Sequence, residues 1–176
     1  MDGGRLRIKK FNDANPMLSG FNNPYTLTGG VVEFYGTGSI NQQQIRGKDT
    51  LDRIISYYNM EINADAANYS TSSGLDKAGN VDLTSSFYLK NVMNVNYPAV
   101  LRMDESDFIY APLTGAGAEV VNINANAGLL YGNSNGISTA AAGTGVTVGN
   151  IRTTNRTFSP DASYGFVSSG NMVTGN

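Results

Sequence analysis

The sequence has 176 residues and a formal net charge of −2, and it contains neither histidine nor cysteine. The absence of both residues excludes thiol and imidazole nucleophiles, Cys/His zinc sites and disulfide bonds. Charged residues make up 15% of the chain, against about 25% in an average domain, and no basic excess indicates a nucleic-acid partner. No stretch approaches the roughly 18 apolar residues of a membrane-spanning helix.

Glycine and asparagine occur 21 times each, and valine, isoleucine, threonine and tyrosine are plentiful. This composition favours short strands joined by tight turns. Residues 5–9 alternate strictly between charged and apolar side chains, as a half-buried strand does. Asn94 to Asn96 and Gly79-Asn80 are typical of turns. Further predicted strands cover residues 31–35, 60–63, 81–83, 87–89, 92–95, 99–103, 121–124 and 128–131.

The segment 49–58 fits two structures. Leu51, Ile54, Ile55 and Tyr58 have helical spacing, with Asp49 or Thr50 available to cap the start. The β-branched Ile54-Ile55 pair fits a strand equally well. We favour the strand, and the sequence alone leaves the choice open.

Two loose echoes indicate an internal repeat. Residues 3–8 are echoed by 127–132, and residues 32–47 by 163–175, in the same order. The module therefore restarts near 124–128, and we expect residues 1–176 to be a single segment of a longer repetitive protein.

Four phrases carry a resemblance to a known family: residues 25–38, residues 57–63, residues 124–132 with 135–137, and residues 149–158 with the closing residues 173–176. Their content and order resemble secreted repeat-containing surface proteins of Bacteroidota, the class of gliding-motility adhesins and other type IX secretion cargo. Residues 64–80 and 138–148 depart from that pattern. The resemblance implies an extracellular location at the cell surface and modules that coil as parallel β-helices.

The predicted fold is all-β, a parallel β-helix (solenoid) segment, with a β-sandwich of unrelated topology as the alternative. A β-helix suits short strands, because each turn of about 20 residues stacks parallel on the next and bends at glycine and asparagine. About eight turns are expected on that arithmetic. Inward valine, isoleucine, leucine and phenylalanine would form the core, and asparagines at the corners can form ladders with asparagines on adjacent turns.

Asp104, Glu105 and Asp107, which follow Arg102, form the only dense acidic cluster. Carboxylate oxygens suit Ca²⁺, and a charged turn between two strands explains the cluster as well. No other cofactor is indicated. Thr50, in Asp49-Thr50-Leu51, matches the O-glycosylation acceptor that the resemblance implies.

Four tyrosines are candidate sugar-stacking residues: Tyr57, Tyr58, Tyr97 and Tyr110. Aromatic side chains in such chains more often fill the core, and we favour that interpretation.

The sequence predicts a non-catalytic structural or adhesive segment, a stalk or multivalent adhesin, with no enzyme activity. Expected partners are surface glycans, host or neighbouring cells, and adjacent modules of the same chain. The alternative is a carbohydrate-active β-helix that binds or cleaves a polysaccharide around Arg102–Asp107. A third interpretation is a piece of a phage or appendage fibre, which would form obligate trimers.

Overall fold

The computed structural model describes residues 3–9, 27–36, 43–48, 52–63, 80–113, 117–138 and 148–167. The regular structure in these ranges is all strand, which confirms the all-β prediction. They contain no helix that could cross a membrane. The strands are β1 (Arg5–Ile8), β2 (Val31–Phe34), β3 (Gln43–Ile45), β4 (Ser56–Asn63), β5 (Asn80–Leu83), β6 (Phe87–Asn96), β7 (Val100–Met103), β8 (Ile109–Tyr110), β9 (Val120–Ile123), β10 (Gly128–Tyr131), β11 (Ile151–Arg152), β12 (Asn155–Phe158) and β13 (Ser163–Phe166).

The strands form two sheets, and every ladder between the named strands is parallel. The first sheet has the order β1-β2-β4-β6-β8-β11. Strand β6 pairs with β4 on one side. On its other side it is long enough for two strands, since its first part pairs with β8 and its second part with β9. Strand β12 then pairs with β9.

The second sheet has the order β3-β5-β7-β10-β13. From β2 to β7 the chain alternates strictly between the two sheets, and β8 with β9, then β11 with β12, continue the alternation as pairs. Each strand therefore lies beside the strand that the chain formed on its previous visit to the same sheet.

Inward side chains from both sheets form a continuous apolar core. Phe34, Tyr57 and Phe87 lie on β2, β4 and β6 and are fully buried. The Tyr57 ring packs edge-on against both phenylalanines, with centroids 6.4 Å and 5.2 Å away. Its hydroxyl donates to the Arg46 carbonyl at 2.8 Å, so the polar atom is satisfied. Burial of each such ring stabilises the fold by about 1.5–3 kcal/mol.

Three expectations from the sequence are corrected or resolved. In the 49–58 segment, residues 56–58 belong to β4 and residues 52–58 contain no helix, while residues 49–51 lie outside the described part. The predicted turn at Asn94 to Asn96 is wrong, because these residues continue β6. Ile45 pairs with Leu83, so paired strands can lie much further apart in sequence than the expected 20 residues or so.

Candidate binding face of the first sheet

The outer face is the side of the first sheet opposite the core. Because side chains alternate along a strand, it carries the residues between the buried ones. On β6, for example, Met93 and Val95 are buried whereas Asn94 and Asn96 point outwards and remain partly exposed. Parallel in-register pairing then aligns outward residues of successive strands into columns, of which one reads Arg7, Glu33, Glu61, Asn94, Asn122 and Thr157.

Asparagines on neighbouring strands form an asparagine ladder, made of Asn63, Asn94, Asn96, Asn122 and Asn124. The Asn96 amide donates to Asn63 Oδ1 at 2.8 Å, and Asn96 Oδ1 accepts from Asn124 at 2.6 Å. Asn122 donates in the same way to Asn94 Oδ1 at 2.8 Å. The prediction that asparagines form ladders is confirmed, although most of these residues lie on strands and not at corners.

Charged groups occupy the β1 end of the same face. The Glu33 carboxylate accepts hydrogen bonds from Arg5 Nη1 at 3.1 Å, Arg7 Nε at 2.8 Å and Asn63 Nδ2 at 3.0 Å. Arg5 also bonds both Glu61 oxygens. Burial acts to raise the pKa of Glu33, but the bonds from Asn63, Arg7 and Arg5 outweigh it, so the pKa lies below its ordinary value. Arg5 and Arg7 are therefore paired within the protein.

An aromatic platform, made of Tyr88, Phe108, Tyr110 and Arg152, lies on the other part of the outer face. Tyr88 and Tyr110 are register partners on β6 and β8, with ring centroids 5.6 Å apart. Phe108 lies 5.6 Å from Tyr110. The Arg152 guanidinium, on β11, stacks 3.8 Å from the Phe108 ring centroid and 5.5 Å from that of Tyr110. All four side chains are partly exposed.

The candidate sugar-stacking tyrosines have different environments. Tyr57 is a core residue, as favoured above, whereas Tyr110 belongs to the aromatic platform. Tyr97 is 66% exposed in the turn that follows β6, and Tyr58 is half-buried on β4. Tyr88, Phe108 and Arg152 were not among the residues predicted from the sequence. Only the β6–β8–β11 register brings these residues together, and no local pattern encodes that register.

The acidic cluster forms a turn after β7. Asp107 Oδ2 accepts from the Asp104 backbone N–H at 3.2 Å, and Asp104 lies 3.5 Å from Arg102 Nε. Burial, reinforced by the charge of Asp104, raises the pKa of Asp107. Asp104 and Glu105 are exposed, and among the described residues no group of three or more acidic side chains could hold a metal ion. These contacts are those of a charged turn.

Asn150, the residue directly before β11, holds this turn in place. Its side chain is completely buried, and its amide donates to the carbonyls of Asp104 at 2.8 Å and Asp107 at 2.7 Å. Its Oδ1 accepts from the Asn133 N–H at 2.9 Å. All three hydrogen bonds link separate loops, which makes Asn150 a structural residue. Thr50, the predicted glycosylation acceptor, lies outside the described residues.

Comparison with known proteins adds no family to this description: no family model, curated protein or solved structure matches the chain. The resemblance to Bacteroidota surface proteins therefore remains a prediction, and a function has to be argued from the outer face itself.

Proposed function

We propose that this chain is a non-catalytic structural and adhesive segment of a secreted bacterial cell-surface protein, and that its backbone winds as a parallel β-helix. The regular alternation between two parallel sheets supports the winding, since parallel neighbours need a long crossover between them. A β-sandwich is less suitable, because sandwiches are built from antiparallel sheets.

The observation that carries this proposal is the asparagine ladder on the outer face. Parallel sheets are usually covered on both sides by other elements, whereas here one side presents partly exposed amides bonded to each other across strands. This part of the face is polar, and its amide pairs repeat from strand to strand. These properties suit many weak contacts that add up through avidity.

The rival function is cleavage of a polysaccharide around Arg102–Asp107. Glycosidases require two carboxyl groups about 5–9.5 Å apart across a cleft. In this turn Asp107 is bonded to the backbone of Asp104, and Arg102 lies near Asp82 and Asp104. Asp107 thus holds the turn and Asp104 is ion-paired with Arg102, which favours binding without turnover.

A glycan array combined with a lyase and hydrolase assay tests the proposal. Beads that carry many copies of the chain should attach to glycan or cell surfaces much more strongly than the monomer does. The lyase and hydrolase assay should detect no cleaved polysaccharide. Turnover that is abolished by Asp104→Ala or Asp107→Ala, but retained in Asp161→Ala, would overturn it. Asp161 is a suitable control because it is an exposed acid in another turn. Failure of the coated beads to attach to any surface would also overturn it.

A further inference from the structure

Three arginines on the outer face differ in how their charge is balanced. Arg5 and Arg7 bond the carboxylates of Glu33 and Glu61. Arg152, at the other end of the face, donates from Nε to the Gly149 carbonyl at 3.0 Å and stacks on two aromatic rings. Among the described residues it has no carboxylate partner. The positive charges of Arg5 and Arg7 are therefore balanced by carboxylates, whereas the positive charge of Arg152 is not balanced by any described carboxylate.

Stacking leaves the hydrogen-bonding edge of a guanidinium available. The Arg152 guanidinium carbon lies over the Phe108 ring, 3.8 Å from its centroid, and the N–H groups of a guanidinium lie in its plane. A planar fork of this kind suits bidentate binding of a carboxylate. The ring contacts and the Nε–Gly149 bond also fix the side chain in advance, so that less rotamer entropy is lost when an anion binds.

The tyrosines beside Arg152 provide the apolar part of a ligand site. Tyr88 and Tyr110 lie on adjacent strands, their rings 5.6 Å apart and inclined by 41°. Together they form a partly exposed aromatic surface that continues across two strands. An aromatic ring with a hydroxyl is apolar on its face and polar at its tip. A pyranose ring has the same division, with C–H groups on its faces and hydroxyls at its rim.

We infer that the aromatic platform binds an acidic polysaccharide, a chain of pyranose rings that carry carboxylates. One sugar ring stacks on Tyr110 and Tyr88, and the carboxylate of the same or the next sugar is held by Arg152. Charge complementarity selects this ligand over a neutral glycan, because the platform carries a cation. Tyr88, Tyr110 and Arg152 are register partners in one column of side chains, and none of the acids on the described strands lies in that column. This inference rests on the proposed function and names the class of ligand.

Calorimetric titration of the whole chain with hexagalacturonate tests the inference, with cellohexaose as the neutral probe and hexathymidylate as a different polyanion. We expect binding of hexagalacturonate that weakens with salt, and at least about tenfold weaker binding of the other two probes. Arg152→Gln and, separately, Tyr110→Leu should each weaken binding of hexagalacturonate about tenfold.

Arg7→Gln is the matched control. Arg7 stacks on Tyr35 with its guanidinium 4.0 Å from the ring centroid, much as Arg152 stacks on Phe108, but its charge is paired with Glu33. We expect Arg7→Gln to bind hexagalacturonate as the unchanged protein does. An equal loss of affinity in Arg7→Gln and Arg152→Gln, or equally tight binding of cellohexaose or hexathymidylate, would overturn the inference.

Tyrosine fluorescence of the unchanged protein gives a readout that needs no variant. The chain has ten tyrosines and no tryptophan, so a sugar stacked on the platform should change the intrinsic emission at the affinity found by calorimetry. Absence of both heat and emission change with hexagalacturonate would overturn the inference. If coated beads still attach to surfaces in that case, the proposed adhesive function stands and only the assigned ligand fails.

Discussion

Glu119 is a buried charged side chain whose two carboxylate oxygens both accept hydrogen bonds. Its side chain is completely buried at the start of β9. Its two oxygens accept backbone N–H groups of Gly117 at 2.6 Å and Thr154 at 2.9 Å. Burial acts to raise the pKa of Glu119, but hydrogen bonds from Thr154 and Gly117 outweigh it and lower the pKa overall. The ionised carboxylate thus joins two loops.

Glu119→Gln should change how stability depends on pH. Since the folded pKa is lowered, ionised Glu119 contributes stability that is fully present above its unfolded pKa, about 4.3. That contribution is lost as the pH falls through the lower folded value. We expect the variant to be less stable at pH 7 and to lose less stability on acidification.

Urea unfolding at a series of pH values measures this difference. Repeating the series in high salt is the control, because hydrogen bonds to a buried carboxylate are screened much less than surface charges. Parallel pH profiles for the variant and the unchanged protein would contradict the role given to Glu119.

At the scale of elements, the sequence predicts strands well where alternation is long enough to see. Residues 5–8, 31–34, 81–83 and 128–131 were all predicted as strands and lie in β1, β2, β5 and β10. Strands β8 and β11 were missed because two residues cannot display a period of two.

The misread turn at Asn94 to Asn96 has a different cause. Asparagine favours turns because its side chain bonds nearby backbone. Here the side chains of Asn94 and Asn96 instead bond asparagines on neighbouring strands. Those partners are distant in sequence. The same long-range register that the sequence does not show for the aromatic platform therefore also explains why the strand predicted at 92–95 continues through Asn96.

Gly47 lies at a corner after β3, where the chain comes close to the backbone of Ser85 and Ser86. A Cβ at this position would overlap the carbonyl oxygens of Ser85 and Ser86, which are backbone atoms and cannot simply rotate away. The Gly47 N–H also donates to Ser85 Oγ at 2.9 Å. The close contact between the two corners therefore requires glycine.

Gly47→Ala should destabilise the fold by about 3 kcal/mol, because overpacking against backbone forces the two corners apart. Gly3→Ala is the control, since a Cβ there meets no atom within 4 Å, and a change of less than about 0.5 kcal/mol is expected. Denaturant unfolding gives both values. Equal stability of the two variants would show that the corners are not in contact.

At the scale of the whole molecule, the arrangement of strands follows from parallel pairing repeated along the chain. The echoed segments 3–8 and 127–132 lie in different sheets, on β1 and β10, and each is followed along its sheet by the second echoed segment, on β2 and β13. Composition and alternation predicted an all-β chain. Which strand lies beside which depends on contacts between distant residues, which a single sequence does not display.

Successive strands of the first sheet stack in register, so that one column of outward residues runs from Arg7 to Thr157. The chain has no cysteine, so two introduced cysteines can carry spin labels at chosen sites. Arg7 and Thr157 are five strand spacings apart, about 24 Å at about 4.8 Å per spacing. Glu61 and Thr157 are three spacings apart, about 14 Å.

Pulsed electron paramagnetic resonance on the Arg7→Cys/Thr157→Cys and Glu61→Cys/Thr157→Cys proteins measures these separations directly. The stacked arrangement predicts two narrow distributions whose centres differ by about 10 Å, with the Arg7 pair the longer. Equal distances for the two pairs, or a shorter distance for the Arg7 pair, would contradict it.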